Sequence, residues 1–297
     1  MDCANEKPKI EPKNDYVFCR LTIPLTAEVY SMLSINDDKI VLGVKNELLL
    51  YEGESKEISV ISKEIKNRIT CIIKLLNGNV VTGGQDKTIK IWDIDKKELL
   101  YTLTGHTSII WDLHELEDNR LMSVSDDNTA KIWDLNTKKY EEFCKSNRHI
   151  SSIALLKNNK VILASGRYIF LYDLKTKEQE SFLNIIVWAL KELSNGDVAC
   201  GGIGVLYIIS VTDKIFVKTK FPRGHNKTIN FIIELENHKI VTAVDETDLI
   251  LWDPNDPDSM SFIKGYTDIV TSLCYISGNR FASASWDKTL KIMEFPT

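Results

Sequence analysis

The sequence predicts an all-β fold, a seven-bladed β-propeller whose ring closes when an N-terminal strand completes the last blade. Three observations predict it. A unit of about forty residues recurs along the chain. Every unit repeats one order of short apolar runs and polar turns, and long helical periodicity is absent. Aligned on the large residue that ends the third run, the units fall at Tyr51, Trp92, Trp133, Tyr172, Ile209, Trp252 and Met293, at intervals of 41, 41, 39, 37, 43 and 41 residues. That period suits four-stranded propeller blades.

Within a unit the elements follow in order. The first strand is an apolar run, as at 68–75 or 269–276. A tight turn follows, marked by Asn77-Gly78, Asp118-Asn119, Asn158-Asn159, Asn195-Gly196 and Ser277-Gly278, residues that accept positive φ at little cost. Val80-Val81-Thr82 exemplifies the second strand and 88–92 the third, with a polar turn between them. A more polar fourth strand, as at 98–103 or 261–264, makes the outer edge, where charge discourages edge-to-edge pairing. The acidic, proline-rich stretch 254–258 reads as a connector. The last unit stops after its third strand, while 17–23 is a spare strand before the first unit. Pairing the two would satisfy backbone groups that an open ring leaves bare. Residues 1–15 read as a disordered tail and 16–297 as one propeller.

Composition narrows the function. The chain has 37 basic and 42 acidic residues, a net charge of −5, which argues against a nucleic-acid partner. Cysteines at 3, 19, 71, 144, 200 and 274 form no CxxC pair and have no metal-ligand spacing, as expected of free thiols in a reducing compartment. Neither a signal peptide nor a membrane-spanning run is seen, so the expected location is the cytoplasm, with the nucleus as the alternative. His114, His149 and His238 lack metal spacing; His114 reads as a strand surface residue and His238 as a turn residue. Gly83-Gly84 and Gly201-Gly202 are followed by neither Lys-Ser/Thr nor a helix, so they are not phosphate loops. No metal, cofactor or small-molecule substrate is expected.

The stretch from Gly105-His106 to Trp133-Asp134, set in that period, resembles the WD-repeat β-propeller family over about residues 16–297. The match is strong at 67–107, 108–147, 227–267 and 268–297, and degenerate near 28–66, 148–184 and 185–226. The resemblance implies a buried hydrogen-bonded tetrad of His106, Ser123, Asp127 and Trp133. Thr82, Asp86 and Trp92 match three of its members, with Ile65 in the histidine position. His225, Thr242 and Trp252 match with Glu246 in place of aspartate, and Ser283 and Asp287 match with Tyr266 and Met293 in place of histidine and tryptophan. Ser123, His106 and Asp127 also have the composition of a hydrolase triad. The recurring structural tetrad accounts for them without chemistry and no GxSxG elbow is present, so no enzyme is expected.

The resemblance further implies partner binding on the narrow face around the central channel. The positions it carries over are Tyr30, Arg68, Gln85, Ile109, Trp111, Asp126, His149, Trp188, Asn230, Asp245, Ile269 and Trp286, with Glu28, Thr70, Ser151, Ile186, Thr228 and Thr271 beside them. Trp111 and Trp188 are not required by the repeat, since Ser151, Asn230 and Thr271 stand at equivalent sites. They read either as exposed anchors or as packing in the channel. Tyr30, Trp111, Trp188 and Trp286 beside Asp126, Asp245 and Glu28 suit a peptide carrying Arg or Lys. The expected function is a non-catalytic protein-interaction scaffold or adaptor of a larger complex. One alternative is an RNA- or ribosome-associated propeller, using Lys87, Lys90, Lys96, Lys97, Lys131, Lys138 and Lys139, or Lys214, Lys218, Lys220 and Arg223. Another is the substrate-recognition subunit of a ubiquitin ligase, although Asp95, Asn136 and Asn255 occupy the arginine position of a Trp-Asp-x-Arg docking signature.

Overall fold

Each short apolar run is a strand because its side chains find cover on both sides of a sheet. The computed structural model describes residues 17–63, 65–211, 215–221, 227–244 and 246–295. The expected tail at 1–15 lies outside these residues, as do Lys214, Arg223, His225 and Asp245. The strands form seven four-stranded antiparallel sheets, with no helix among the described residues. In chain order, blades 1 to 6 span 29–62, 69–104, 110–145, 150–183, 187–220 and 229–263. Blade 7 takes 270–294 together with Phe18–Pro24.

The core lies in the joints between blades. Trp92 of blade 2 packs with Val41, Leu48 and Leu50 of blade 1, and Trp133 of blade 3 packs with Val81, Ile89 and Ile91 of blade 2. Tyr172, Ile209, Trp252 and Met293 enter the joints with blades 3, 4, 5 and 6, and Tyr51 of blade 1 enters the joint with blade 7. The residue that sets the repeat period therefore fills the joint with the preceding blade. Burying one large apolar side chain in this way contributes about 1.5–3 kcal/mol.

Phe18–Pro24 pairs antiparallel with Thr289–Glu294 as the outer strand of blade 7. Ile23, with Leu21 beside it, joins the cluster that also holds Leu42, Leu49, Ala282 and Leu290, so the closing strand belongs to the joint between blades 7 and 1. The fourth strand of blade 6 departs from the sequence expectation. It begins at Asp256 and runs to Ile263, so the connector expected at 254–258 is mostly strand. Asp253 accepts the Asn255 N–H at 2.9 Å, which closes a short turn and lets pairing start at Asp256.

One feature recurs that no sequence pattern displayed. The innermost strand of every blade slips register after its first residue, between Val29 and Ser31, Ile69 and Cys71, Ile110 and Asp112, Ile150 and Ser152, Val187 and Ala189, Ile229 and Phe231, and Val270 and Ser272. The residue passed over at each slip is Tyr30, Thr70, Trp111, Ser151, Trp188, Asn230 or Thr271. Such a bulge leaves one residue out of the ladder and re-aims its side chain.

Removing residues 1–25 strips an outer strand and part of a joint, a loss of several kcal/mol. At about 2–4 °C per kcal/mol for a chain of this size, the melting temperature falls by roughly ten degrees. Thermal unfolding followed by circular dichroism measures this, and an unchanged curve contradicts the closure.

Candidate interaction face

The seven bulges sit at one end of the ring, and their side chains take different courses. Thr70 and Thr271 turn inward as latches: Thr70 donates its hydroxyl to Ile110 O of the next blade, and Thr271 donates to Val29 O. Ser151 stays within its own blade, with its hydroxyl 3.5 Å from Ala164 O, and Asn230 is half-buried. Tyr30 is half-buried beneath Arg68, whose guanidinium carbon lies 3.7 Å from the ring centroid. Trp111 and Trp188 turn out to solvent, 38% and 39% exposed.

The turn positions meet the bulge end through the backbone. Gln85 N–H donates to Arg68 O, Asp126 N–H to Ile109 O and Trp286 N–H to Ile269 O, at 2.9, 2.9 and 2.8 Å. One tie in three blades thus sets Gln85 beside Arg68, Asp126 beside Ile109 and Trp286 beside Ile269. Trp111 donates its indole N–H to Asp126 at 2.6 Å, which holds the ring upright against a carboxylate. No Lys or Arg among the described residues pairs with Asp126. His149 stacks on Trp188, with centroids 5.1 Å apart and planes 22° apart. Arg68–Tyr30, Trp111–Asp126 and His149–Trp188 are the side-chain pairs brought together here. Gln85, Asn230 and Ile269 lie at the same end of the ring.

The sequence reading missed Ile203, 57% exposed in the turn of blade 5, where a backbone bridge joins it to Thr228 of blade 6. Its signal was an apolar residue between Gly202 and Gly204. Ile186, two residues before Trp188, is itself 39% exposed.

Beneath this face the tetrad residues form one directional chain. Trp133 Nε1–H donates to Ser123 Oγ at 2.7 Å, and Ser123 donates to His106 Nε2 at 2.6 Å. His106 Nδ1–H donates to Asp127 at 2.7 Å, while the Thr107 N–H and the Thr129 hydroxyl also serve that carboxylate. Burial pushes His106 below its ordinary value, against the pull of Asp127, so the imidazole is neutral. Burial would raise Asp127, but its hydrogen bonds from Thr129, Thr107 and His106 prevail and bring it down to about 2. Ser123 is fully buried and its Oγ already accepts the indole proton, so the three residues of the apparent triad have no access to a substrate.

Other blades reach similar ends with different residues. Trp92 and Trp252 donate to Thr82 and Thr242 at 3.0 and 2.7 Å. In blade 2, where Ile65 replaces the histidine, the Lys90 ammonium pairs with Asp86. In blade 7 the Tyr266 hydroxyl bonds Ser283 as the histidine does in blade 3. Several lysines of the expected basic patch are thereby occupied: Lys90 by Asp86, Lys96 by Asp93, Lys97 by Ser59, Lys131 by the Tyr140 ring and Lys138 by the Tyr101 ring. His114 is also not the surface residue expected. It is half-buried in the innermost strand of blade 3, and burial holds it below its ordinary value. It lines an open cavity of about 610 Å³ between blades 3 and 4, whose charged lining of Arg120, Glu141, Lys157, Lys177 and Glu192 mixes both signs. Among the described residues no group of His, Cys, Asp or Glu is placed to hold a metal, and no helix is long and apolar enough to cross a membrane.

His106→Ala leaves Ser123 and Asp127 short of a partner, and unfolding in urea shows a loss of about 1–3 kcal/mol. Acid weakens the wild type in two windows. Below 6.5 the unfolded chain takes up a proton on His106 that the folded chain resists, and from 3.8 towards about 2 the carboxylate stabilisation of Asp127 is lost. His106→Ala removes that residue's share of the upper step and leaves the share of His114. An identical pH profile in wild type and variant contradicts the assignment.

Comparisons with known proteins agree with this architecture. The family model described as WD domain, G-beta repeat matches residues 56–93, 97–134 and 258–293. A 43-residue segment, 14% of the chain, is 49% identical to F-box/WD repeat-containing protein sel-10 of Caenorhabditis elegans and spans only 7% of that protein. The crystal structure of the WD40 β-propeller domain of Doa1 superposes with a TM-score of 0.81 at 18% identity, covering 94% of this chain and 97% of that one. With three units matching the WD-repeat model, seven sheets of one build and an N-terminal strand completing the last of them, the chain has the fold of a seven-bladed β-propeller that carries WD repeats.

Proposed function

We propose that this chain is a non-catalytic interaction scaffold, an adaptor or subunit of a larger complex, that holds a peptide or protein partner on the bulged face. One observation carries the reading. Four of the other five bulges use Thr, Ser or Asn and the fifth a half-buried Tyr30, yet blades 3 and 5 place exposed tryptophans there, each fixed by a neighbour rather than buried. Large rigid aromatic rings held ready at a surface are typical anchors. Asp126, which has no cationic partner among the described residues, favours a Lys or Arg beside the anchor, by ion-pair and cation–π contacts.

The short identity to an F-box/WD repeat protein supports a second, narrower reading, a substrate-recognition subunit of a ubiquitin ligase. The RNA-associated alternative is weakened by the lysines already engaged within blades.

The double substitution Trp111→Ala with Trp188→Ala tests the main reading. Both rings are partly exposed, so unfolding stability changes by about 1–2 kcal/mol at most. Proteins recovered on the wild-type chain by affinity purification and quantified by mass spectrometry are lost from the variant, and Asp126→Asn weakens their retention. Recovery of the same partners by folded double variant contradicts the assignment.

A further inference from the structure

Blade 4 departs from its neighbours in a way the fold does not require. In blades 2, 3 and 7 the third strand opens Thr-x-Lys. Thr88, Thr129 and Thr289 donate to the turn carboxylates Asp86, Asp127 and Asp287, and Lys90, Lys131 and Lys291 fold back on their own blades. Blade 4 has only Gly166 and Arg167 in that turn, with no carboxylate, and sets Tyr168 and Phe170 where threonine and lysine stand. Phe182 of the outer strand pairs with Phe170.

The outcome is a row of aromatic rings between blades 3 and 4. Phe143 meets Tyr172 at 5.6 Å, Tyr172 meets Phe170 at 6.3 Å, and Phe182 lies 6.4 Å from Phe170 and 5.8 Å from Tyr168. The inner end is buried core, with Phe143 5% exposed. The outer end is open, with Phe182 57% and Tyr168 38% exposed. An aromatic row that continues from a joint into solvent leaves its last rings half covered.

Cations surround the open end. Arg167 directly precedes Tyr168, and Arg148 lies against Gly166, whose φ of +60° lets the chain turn back there. Ser146 and Ser165 bond through their hydroxyls at 2.7 Å, which brings the end of blade 3, with Lys145, to the same corner. No carboxylate among the described residues pairs with Lys145, Arg148 or Arg167. Two of the carboxylates lower on this edge are taken, Glu180 by Lys160 at 2.6 Å and Glu141 by Lys177 at 2.7 Å.

We propose that this corner is a second docking surface, on the outer rim between blades 3 and 4, for an extended acidic segment of a partner protein. A large apolar side chain of the segment packs on Phe182 and Tyr168. Asp or Glu residues flanking it pair with Arg148, Arg167 and Lys145. The charge preference is opposite to that of the bulged face, so one chain has two surfaces that select different segments.

The test pans a displayed library of random linear peptides on the full chain, then titrates fluorescently labelled winners by anisotropy. The expected winners include peptides with Asp or Glu around Phe, Trp or Leu. Their affinity falls at least tenfold, about 1.4 kcal/mol, in Phe182→Ser and again in Arg148→Glu with Arg167→Glu, weakens with salt, and is unchanged in the Trp111→Ala, Trp188→Ala protein. All these side chains are at the surface, and matching melting curves verify folding. If Phe182→Ser melts early, Tyr168→Ser and the charge reversal decide alone. The proposal is overturned by an absence of acidic winners, or by acidic winners indifferent to the rim variants. Winners that are only basic and depend on the two tryptophans overturn the rim site while leaving the bulged-face reading standing.

Discussion

A four-stranded blade has two apolar faces and can cover neither from within itself. Everything else in this structure follows from covering both against neighbours. The repeat is anchored on whichever residue plugs the joint, and the joint asks for volume more than identity: Trp92, Trp133 and Trp252 do it, but so do Tyr51, Tyr172, Ile209 and Met293. The polar network then adapts to the plug. An indole brings an N–H into the core, and that proton must be accepted, which Thr82, Ser123 and Thr242 do. Met293 brings none, and Ser283 turns instead to the Tyr266 hydroxyl.

Packing also shapes the surface. The same slip in all seven innermost strands takes one residue per blade out of the ladder. Thr70 and Thr271 use that freedom to bond the next blade, so those positions serve cohesion. Trp111 and Trp188 use it to stand outward, beside Asp126 and His149. A single backbone irregularity therefore supplies both the seal between blades and the side chains offered to a partner, and the local residue decides which.

The blades, their number and the closing strand were legible in the sequence because joints and turns repeat, and repetition survives the loss of any one residue. Tyr51 and Ile209 could be aligned although neither resembles Trp-Asp. The bulges were not legible: one extra residue in a strand alters no composition and hardly disturbs an apolar run. Stand-ins were equally hidden. Lys90 is recognisable as a stand-in for a histidine only when its ammonium is seen at Asp86, and Tyr266, although it aligns with a histidine position, only when its hydroxyl is seen at Ser283. The start of a strand at Asp256 was masked by proline and acidic residues that read as a loop, and Ile203 by the glycines on either side. Of the face, alignment recovered the positions, but the pairings of Trp111 with Asp126 and His149 with Trp188 depend on rotamers that no spacing encodes.

The strand Phe18–Pro24 has a history as well as a place. It is made before every blade, yet its partner Thr289–Glu294 is made after the other six blades. Contacts so distant along the chain make for slow folding, although the entropy of closing a long loop grows only logarithmically. While the ribosome is still adding blades, Leu21 and Ile23 have nothing to pack on. The ring therefore cannot be sealed until the last blade has been made, and the interval is timed by synthesis. The nascent chain, with an apolar strand bare at one end and an unpaired edge growing at the other, is the form of this protein most exposed to aggregation.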